Sequence, residues 1–259
     1  MSAGIDLFDL ALIAAGFFAG LVDAMVGGGG LIQVPALVAL FPFAAPASIM
    51  GTSKFAGVFG TAAAFLQYAS RIELPKRALL IASLTAGVGA VTGAWLLTKI
   101  SRAQFDLLLP ILLTGIFIYT LVRKDLGQTH APRLQGGKLD AASAGTGATL
   151  GLYDGFFGPG TGSFLVFIYV RVFGFDFVHA SAMAKGVNVA CNAFALVFFI
   201  ALGHLLWPHA AWLAGANLAG GILGSRLALR YGSVWMRRVF MLVVAALILN
   251  MVRRYFSVG

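Results

Sequence analysis

Charged residues are scarce in this chain of 259 residues. Only 10% are Asp, Glu, Lys or Arg, whereas soluble domains typically carry about a quarter. The hydrophobic share is 60%, which is more apolar surface than a water-soluble fold can bury. Residues 78–97 contain no charge at all, and a run of that length can cross a bilayer core. The composition therefore predicts an all-α polytopic membrane protein. The continuous apolar runs argue against a β-barrel, in which polar and apolar residues would alternate.

Cysteine and acidic residues are also rare. The single cysteine, Cys191, excludes an intramolecular disulfide. Nine acidic residues against 18 basic ones give a net charge of +9, a balance that can indicate nucleic-acid binding. The basic residues stand mostly at the ends of apolar runs, where a membrane protein needs them, so we expect no nucleic-acid partner. The N-terminus has no basic region before its first apolar run, which favours a first membrane segment over a cleavable signal peptide.

Recognisable enzyme motifs are missing. The chain has no Cys/His spacing of a metal site, no phosphate-binding Walker loop and no nucleophile elbow. The histidines fall in predicted linker or loop positions: His130, His179, His204 and His209. We therefore expect no enzymatic activity, no cofactor and no metal.

Two stretches share one pattern, 20–30 and 151–161. In each, an apolar run that carries a single aspartate breaks into a cluster of glycines. The two aspartates, Asp23 and Asp154, are 131 positions apart (154 − 23). Clustered glycines hold a helix poorly, and irregular backbone inside a membrane survives only where protein or a water-filled cavity satisfies it. The pattern predicts a pair of interrupted or re-entrant membrane segments.

A lysine follows each break at the same spacing. Lys54 and Lys185 are also 131 positions apart (185 − 54), and the same offset aligns Asp9 with Asp140. Chance alignment of two apolar halves is the alternative, but matched charges are unexpected in a chain so poor in them. The sequence predicts a first repeat at 1–123, a polar linker at 124–139 and a second repeat at 140–259. Ten segments follow: 9–26, 31–43, 50–68, 78–97, 105–122, 140–157, 163–173, 180–202, 207–229 and 236–252.

Five segments in each repeat would invert one half relative to the other in the membrane. Most loop charge gathers on one side if the loop 71–77, the linker, Arg171 and the region 230–238 lie together. The positive-inside rule makes that side cytoplasmic, with both termini outside. If the first two segments form a re-entrant hairpin, the count falls to eight.

The lysines and the glycine breaks together suggest an anion site. A lysine inside a membrane segment costs about 2.5–3.5 kcal/mol on insertion scales, so it needs a reason; snorkelling to the interface is one. A helix N-terminus after each break would offer N–H groups and partial positive charge to an anion, although small residues also serve tight helix packing. The predicted backbone donors are Gly29, Gly30, Gly160 and Gly162.

Polar side chains extend this site. Asn188 and Asn192 follow Lys185 by three and seven positions and share its helix face. Their counterparts at the 131 offset, Gly57 and Thr61, differ in chemistry, so the site should be asymmetric. Further candidates are Gln33, Thr52, Ser53, Thr161 and Ser163, although hydroxyls in helices often bond their own backbone.

Asp23 and Asp154 are the remaining charges in the apolar runs. Such carboxylates titrate, pair with a cation or cap backbone groups. Proton carriage coupled to anion movement is one interpretation. A structural pairing with Lys185 or Lys54 is the other.

The doubled motif resembles the TauE/SafE family of membrane permeases. The first half has the residues GLVDAMVGGGGLIQVPAL at 20–37 and GTSK at 51–54. The second half has GLYDGFFGPGTGSF at 151–164, with Lys185, Asn188 and Asn192. The resemblance spans nearly the whole chain. It implies a bacterial inner-membrane protein that exports, or sometimes takes up, sulfite, sulfoacetate or other organosulfonates, driven by the proton gradient.

From the sequence we therefore expect a secondary transporter that moves a small sulfur-containing anion by alternating access. Its expected partners are that anion and the lipid bilayer, and a homo-oligomer is left open. The alternatives are a carrier for another organic anion such as a carboxylate, a channel, and a non-transporting membrane scaffold.

Overall fold

The computed structural model describes residues 6–122 and 129–231. This part of the chain folds into nine helices and contains no strand. The helices are α1 (Leu7–Val26), α2 (Gly30–Leu40), α3 (Pro46–Ala69), α4 (Lys76–Leu97), α5 (Arg102–Val122), α6 (Gly136–Phe156), α7 (Thr161–Arg171), α8 (Phe177–Ala201) and α9 (residues 209–231).

Local signals set several helix boundaries. Asp6 caps α1 by accepting a hydrogen bond from the backbone of Asp9. Pro46 occupies the first turn of α3, where its missing N–H is not needed. Asp176 caps α8 in the same way as Asp6 caps α1. Among the described helices, α1, α3, α4 and α8 are long and apolar enough to cross a membrane.

α2 and α7 are too short to cross. Each has 11 residues and is therefore about 16 Å long, half the thickness of a bilayer core. Phe8 of α1 packs edge-on against Phe41, just after α2 (5.2 Å between ring centroids), so the start of α1 and the end of α2 lie on one side. On the other side, Arg133 in the linker donates to the carbonyl of Arg171 at the end of α7 (2.8 Å).

Glycines let the helices pack backbone to backbone, and the contacts are reciprocal between the halves. A Cβ added at Gly20 in α1 would lie 2.1 Å from the carbonyl oxygen of Asn217 in α9. A Cβ added at Gly151 in α6 would lie 2.2 Å from that of Ala86 in α4. The two glycines are 131 positions apart (151 − 20), and so are the two residues that they contact (217 − 86). The pairs α1–α9 and α6–α4 therefore form equivalent interfaces.

α3 and α8 pack against each other in opposite directions. A Cβ at Gly57 in α3 would contact Asn192, and one at Gly51 would contact Phe199. Gly186, earlier in α8, faces Phe65, later in α3. As the residue numbers rise along α3, the numbers of the contacting residues in α8 fall, so the two helices are antiparallel. These two helices occupy equivalent places in the two halves, since 46 + 131 = 177.

The helices follow the predicted segments closely. The ends of α2 shifted by 131 give the ends of α7 (30 + 131 = 161 and 40 + 131 = 171). The predicted linker is too long, because α6 already begins at Gly136 rather than at 140. The tenth predicted segment, 236–252, lies outside the described residues.

Candidate functional site

The two glycine breaks touch each other. Gly27 ends α1 in the left-handed backbone conformation (φ 81°), which glycine adopts readily. The backbone N–H of Ser163 in α7 donates to the carbonyl of Gly27 (3.1 Å), and its hydroxyl donates to that of Val26 (2.8 Å). A Cβ at Gly27 would lie 2.3 Å from the backbone of Gly162. The break after α1 and the break before α7 are therefore in direct backbone contact.

The N-termini of α2 and α7 open onto one cavity of about 50 Å³. This volume is enough for a few water molecules or a compact oxyanion. The predicted backbone donors Gly29, Gly30, Gly160 and Gly162 all line it. The N-cap residues of both helices, Gly29 and Gly160, have no side chain to form a cap, so both helices present partial positive charge toward this space. Asp23 accepts a long hydrogen bond from the backbone N–H of Gly29 (3.4 Å). The polar side chains that line the cavity are Asp23, Gln33, Ser53, Lys54, Thr61, Asp154, Asn188, Asn192 and Asn217.

Both lysines form ion pairs across the halves. Lys54 of α3 pairs with Asp154 of α6, and both side chains are buried. Lys185 of α8 pairs with Asp23 of α1, with 3.0 Å between Nζ and Oδ2, and also donates to the backbone carbonyl of Asp23. Each pair maps onto the other at the 131 offset. The structural pairing considered for the aspartates is thus what the structure contains.

The burial and pairing of the lysines bear on two interpretations, the alternative of snorkelling and the expected positive pocket. Lys54 and Lys185 are only 3% and 1% exposed, so neither snorkels to a membrane interface. A positively charged pocket is also not what the structure contains. The two lysines face two aspartates, so their formal charges cancel, and the partial positive charge of the cavity comes from helix ends and N–H donors.

The asparagines lie where the sequence pattern places them. Asn188 donates weakly to Oδ1 of Asp154 (3.4 Å), and Asn192 donates to the side-chain oxygen of Asn188 (3.3 Å). On the opposite wall, the hydroxyl of Thr61 donates to Asp23 (3.2 Å). The lining is asymmetric, because the counterparts of Asn188 and Asn192 at the 131 offset are Gly57 and Thr61, which carry no amide.

A second amide pair joins four helices at the cavity wall. Asn217 of α9 donates to the side-chain oxygen of Gln33 in α2 (2.8 Å) and to the carbonyl of Gly16 in α1 (3.2 Å). Gln33 in turn donates to the backbone and hydroxyl oxygens of Ser53 in α3 (2.9 and 3.0 Å). The sequence reasoning missed Asn217. Its signal was available, because it is an isolated amide in the apolar run 207–229, just as Asn188 and Asn192 are in theirs.

Removal of the Asn217 amide tests this connection. Asn217→Ala should lower the free energy of unfolding by about 1–3 kcal/mol, because the Gln33 oxygen would be buried without its donor. The double variant Asn217→Ala/Gln33→Leu should not lose the sum of the two single effects. Thermal unfolding in detergent measures both. Fully additive losses would show that the two amides act independently.

Four predicted residues lie outside the cavity lining. Lys185 reaches it only through Asp23. Thr52 bonds the backbone of its own helix and of the loop before α9 (2.8 and 3.0 Å). Thr161 donates to the carbonyl of Gly158 (2.8 Å). Ser163 donates to the carbonyl of Val26, beside the contact between the two glycine breaks. These hydroxyls support the site without facing it.

The sequence profile described as "Sulfite exporter TauE/SafE" matches residues 12–251 of this chain. The chain belongs to the TauE/SafE family. It is 32% identical over 249 residues to the "Probable membrane transporter protein ORF9" of Sinorhizobium sp, covering 93% of this chain and 90% of that protein. It is 33% identical over 238 residues to the "Probable membrane transporter protein YfcA" of Escherichia coli K12, covering 91% and 86%. A Haemophilus influenzae protein named "Probable membrane transporter protein" is 32% identical over 239 residues, covering 92% and 91%. No solved structure matches the chain.

TauE/SafE membership and these relatives make the protein a membrane transporter. The doubled glycine motif that suggested the family from sequence also forms the cavity in the structure. A transporter role agrees with the expectation that the chain is not an enzyme.

Proposed function

We propose that this TauE/SafE protein is a secondary transporter that exports a small sulfur-containing anion across the bacterial inner membrane. Sulfite, sulfoacetate and other organosulfonates are the candidate substrates. One observation carries the proposal: the N-termini of two short helices meet at a single polar cavity where the two halves of the chain cross. The partial positive charges of two helix N-termini and the nearby side-chain amide donors suit a compact oxyanion.

The cavity supplies donors without a formal net charge. Asn188, Asn192 and Asn217 present amides, and the glycines after each break allow close approach to backbone N–H groups. The lysine nearest the cavity, Lys54, is held by Asp154. We assign substrate binding to these groups and to Gln33 and Ser53, with the residues behind them positioning the site.

Inverted repeats with two re-entrant hairpins explain the pairing pattern. Equivalent helices α3 and α8 run in opposite directions. The two lysine–aspartate pairs map onto each other at the 131 offset, and so do the backbone contacts of Gly20 and Gly151. Reciprocal contacts of this kind are what a two-fold relation produces. In this arrangement α1–α2 enters and leaves from one side and α6–α7 from the other, which suits alternating access by movement of one half against the other.

Loop contacts support the proposed orientation. Arg71, Asp176, His179 and Arg230 line one surface cavity of about 600 Å³. Arg77 in the same loop region pairs with Asp140 at the start of the second half (2.9 Å). The basic loops thus gather on one face, which the positive-inside rule makes cytoplasmic.

The ion pairs supply a route to proton coupling. An anion that enters a cavity of zero formal charge gains little from Lys54 while Asp154 holds it. Protonation of Asp154 would release the ammonium group to the anion, so proton and anion would bind together. Proton and anion would then cross in the same direction, so the anion leaves the cell only where its outward gradient exceeds the inward proton gradient.

A thermal-shift screen of the purified protein tests the substrate class. We expect stabilisation by sulfite, sulfoacetate or thiosulfate, by about 2.7 kcal/mol when the free anion is at a hundred times its Kd. Sulfate, taurine and acetate-type carboxylates complete the panel. The stabilisation should disappear in Lys54→Gln.

Two results would count against the proposal. Stabilisation by carboxylates alone would replace the sulfur assignment with an organic-acid carrier. Equal anion responses of Lys54→Gln and the unaltered protein would remove the cavity from the binding site, as expected for a scaffold.

A further inference from the structure

A group of three metal-ligating side chains lies outside the transport cavity. His130 in the linker, Asp176 before α8 and His179 in the first turn of α8 have ligand atoms that all lie within 4.8 Å of one another. The Nδ1 atom of His179 is 2.8 Å from Oδ2 of Asp176, and that of His130 is 3.5 Å from the same oxygen. The ring centroids of the two histidines are 4.0 Å apart.

We propose that these three side chains bind a divalent cation of the zinc type. Two imidazoles and one carboxylate form a ligand set that zinc accepts, with solvent completing the tetrahedron. Metal–ligand bonds of about 2.0–2.1 Å place neighbouring ligand atoms about 3.3 Å apart, and the observed separations of 2.8 and 3.5 Å bracket that value. Small side-chain movements would therefore complete the site.

The surroundings hold the ligands in place. Ala131 donates to the carbonyl of Gly174 (2.9 Å), which fixes the linker beside the start of α8. His130 stacks on Phe175 (5.5 Å), and its Nδ1 accepts a hydrogen bond from the backbone of Asp176 (3.4 Å). A cation bound through this nitrogen would replace that long hydrogen bond.

Asp176 is suited to the ligand role. One oxygen of its carboxylate accepts from the backbone N–H of His179 (2.8 Å), and the other lies 2.8 Å from Nδ1 of the same residue, so the carboxylate is held beside the ring. The three side chains are half-buried or exposed, so an ion can reach them from solution. The sequence showed no metal pattern because His130 stands 46 positions before Asp176.

Occupancy would strengthen the attachment of the linker to the start of α8, which bears on the proposed alternating access. The linker connects the halves, and α8 carries Lys185, Asn188 and Asn192. A cation between the linker and the start of α8 would restrain that helix. We therefore expect bound metal to slow transport, although the binding site itself does not depend on which anion is carried.

Cobalt titration of the purified full-length protein tests the site. The protein carries no oligohistidine tag and is first treated with chelator. We expect about one equivalent of Co²⁺ to give the visible absorption of a tetrahedral site, and Zn²⁺ to displace it. His130→Ala and His179→Ala should each weaken binding at least about tenfold, by comparison with the loss seen when only outer-shell partners are removed.

Two further variants separate binding from folding. Asp176→Asn keeps an N-cap residue for α8 but removes the anionic ligand, so the metal-free melting temperature should hold while Co²⁺ affinity falls. His209→Ala changes a histidine that packs against Phe8 and Phe41 instead, and it should bind cobalt normally. Absence of the tetrahedral spectrum, or equal binding by all variants, would overturn the proposal.

Discussion

Asp154→Leu is expected to destabilise the folded protein by about 3–5 kcal/mol, because it would leave Lys54 buried without a counter-charge. The side chains of this pair are only 4% and 3% exposed, so water cannot replace the lost partner. The double variant Lys54→Met/Asp154→Leu should recover most of the stability, since it removes both charges together. Transport should be lost in both, because the double variant restores packing but not the ammonium group. Unfolding in detergent and anion flux in proteoliposomes measure the two effects.

The Arg77–Asp140 pair provides a matched control. Its arginine side chain is 83% exposed, so water screens the interaction. Asp140→Asn should change stability by less than about 1 kcal/mol and leave flux unaltered. If Asp154→Leu were as mild as Asp140→Asn, the Lys54–Asp154 pair would not be the buried element described above. Full flux in the double variant would exclude Lys54 from transport.

Gly20→Ala and Gly151→Ala should each cost about 1–3 kcal/mol or more, because a methyl group would meet backbone that cannot move aside. The added Cβ would lie 2.1 and 2.2 Å from carbonyl oxygens in the neighbouring helices. The two losses should be similar, since the positions are equivalent in the two halves. Thermal unfolding of the two variants in the same detergent gives the comparison.

Gly145→Ala is the control on the same helix as Gly151. Nothing lies within 4 Å of a Cβ added there, so the higher helix propensity of alanine should leave stability unchanged or raise it by up to about 1 kcal/mol. A large loss at Gly145, or none at Gly151, would contradict the close packing of α4 and α6. A loss at Gly151 without one at Gly20 would contradict the equivalence of the interfaces.

The helix breaks could be predicted because they depend on local composition, and the 131-residue spacing because it recurs in the charged residues. Clustered glycines end a helix wherever they occur, and matched charges 131 positions apart survive in a chain with few charges. The prediction for α2 and α7 was therefore close, and it also placed Gly30 and Gly162 at the cavity. The equal offsets indicated that the halves are related, but not which helices touch.

The partner of each lysine could not be read from the sequence. Lys54 could have paired with Asp23 in its own half or with Asp154 in the other. Only the packing of α3 against α8, and of α8 against α6, decides between them. Thr52 was misleading because its hydroxyl donates to the backbone carbonyl of Ser48, one turn earlier in the same helix. Asn217 was overlooked although an amide in an apolar run is a signal that needs no structure.

The backbone hydrogen bond between Ser163 and Gly27 has a mechanical consequence. Since the two discontinuities are tied directly, without a flexible side chain between them, neither can shift alone. Any displacement of the α1–α2 turn must drag the start of α7 with it. In the alternating access proposed above, the crossing point would act as a pivot shared by both halves, and opening toward one face of the membrane would be coupled to closure toward the other.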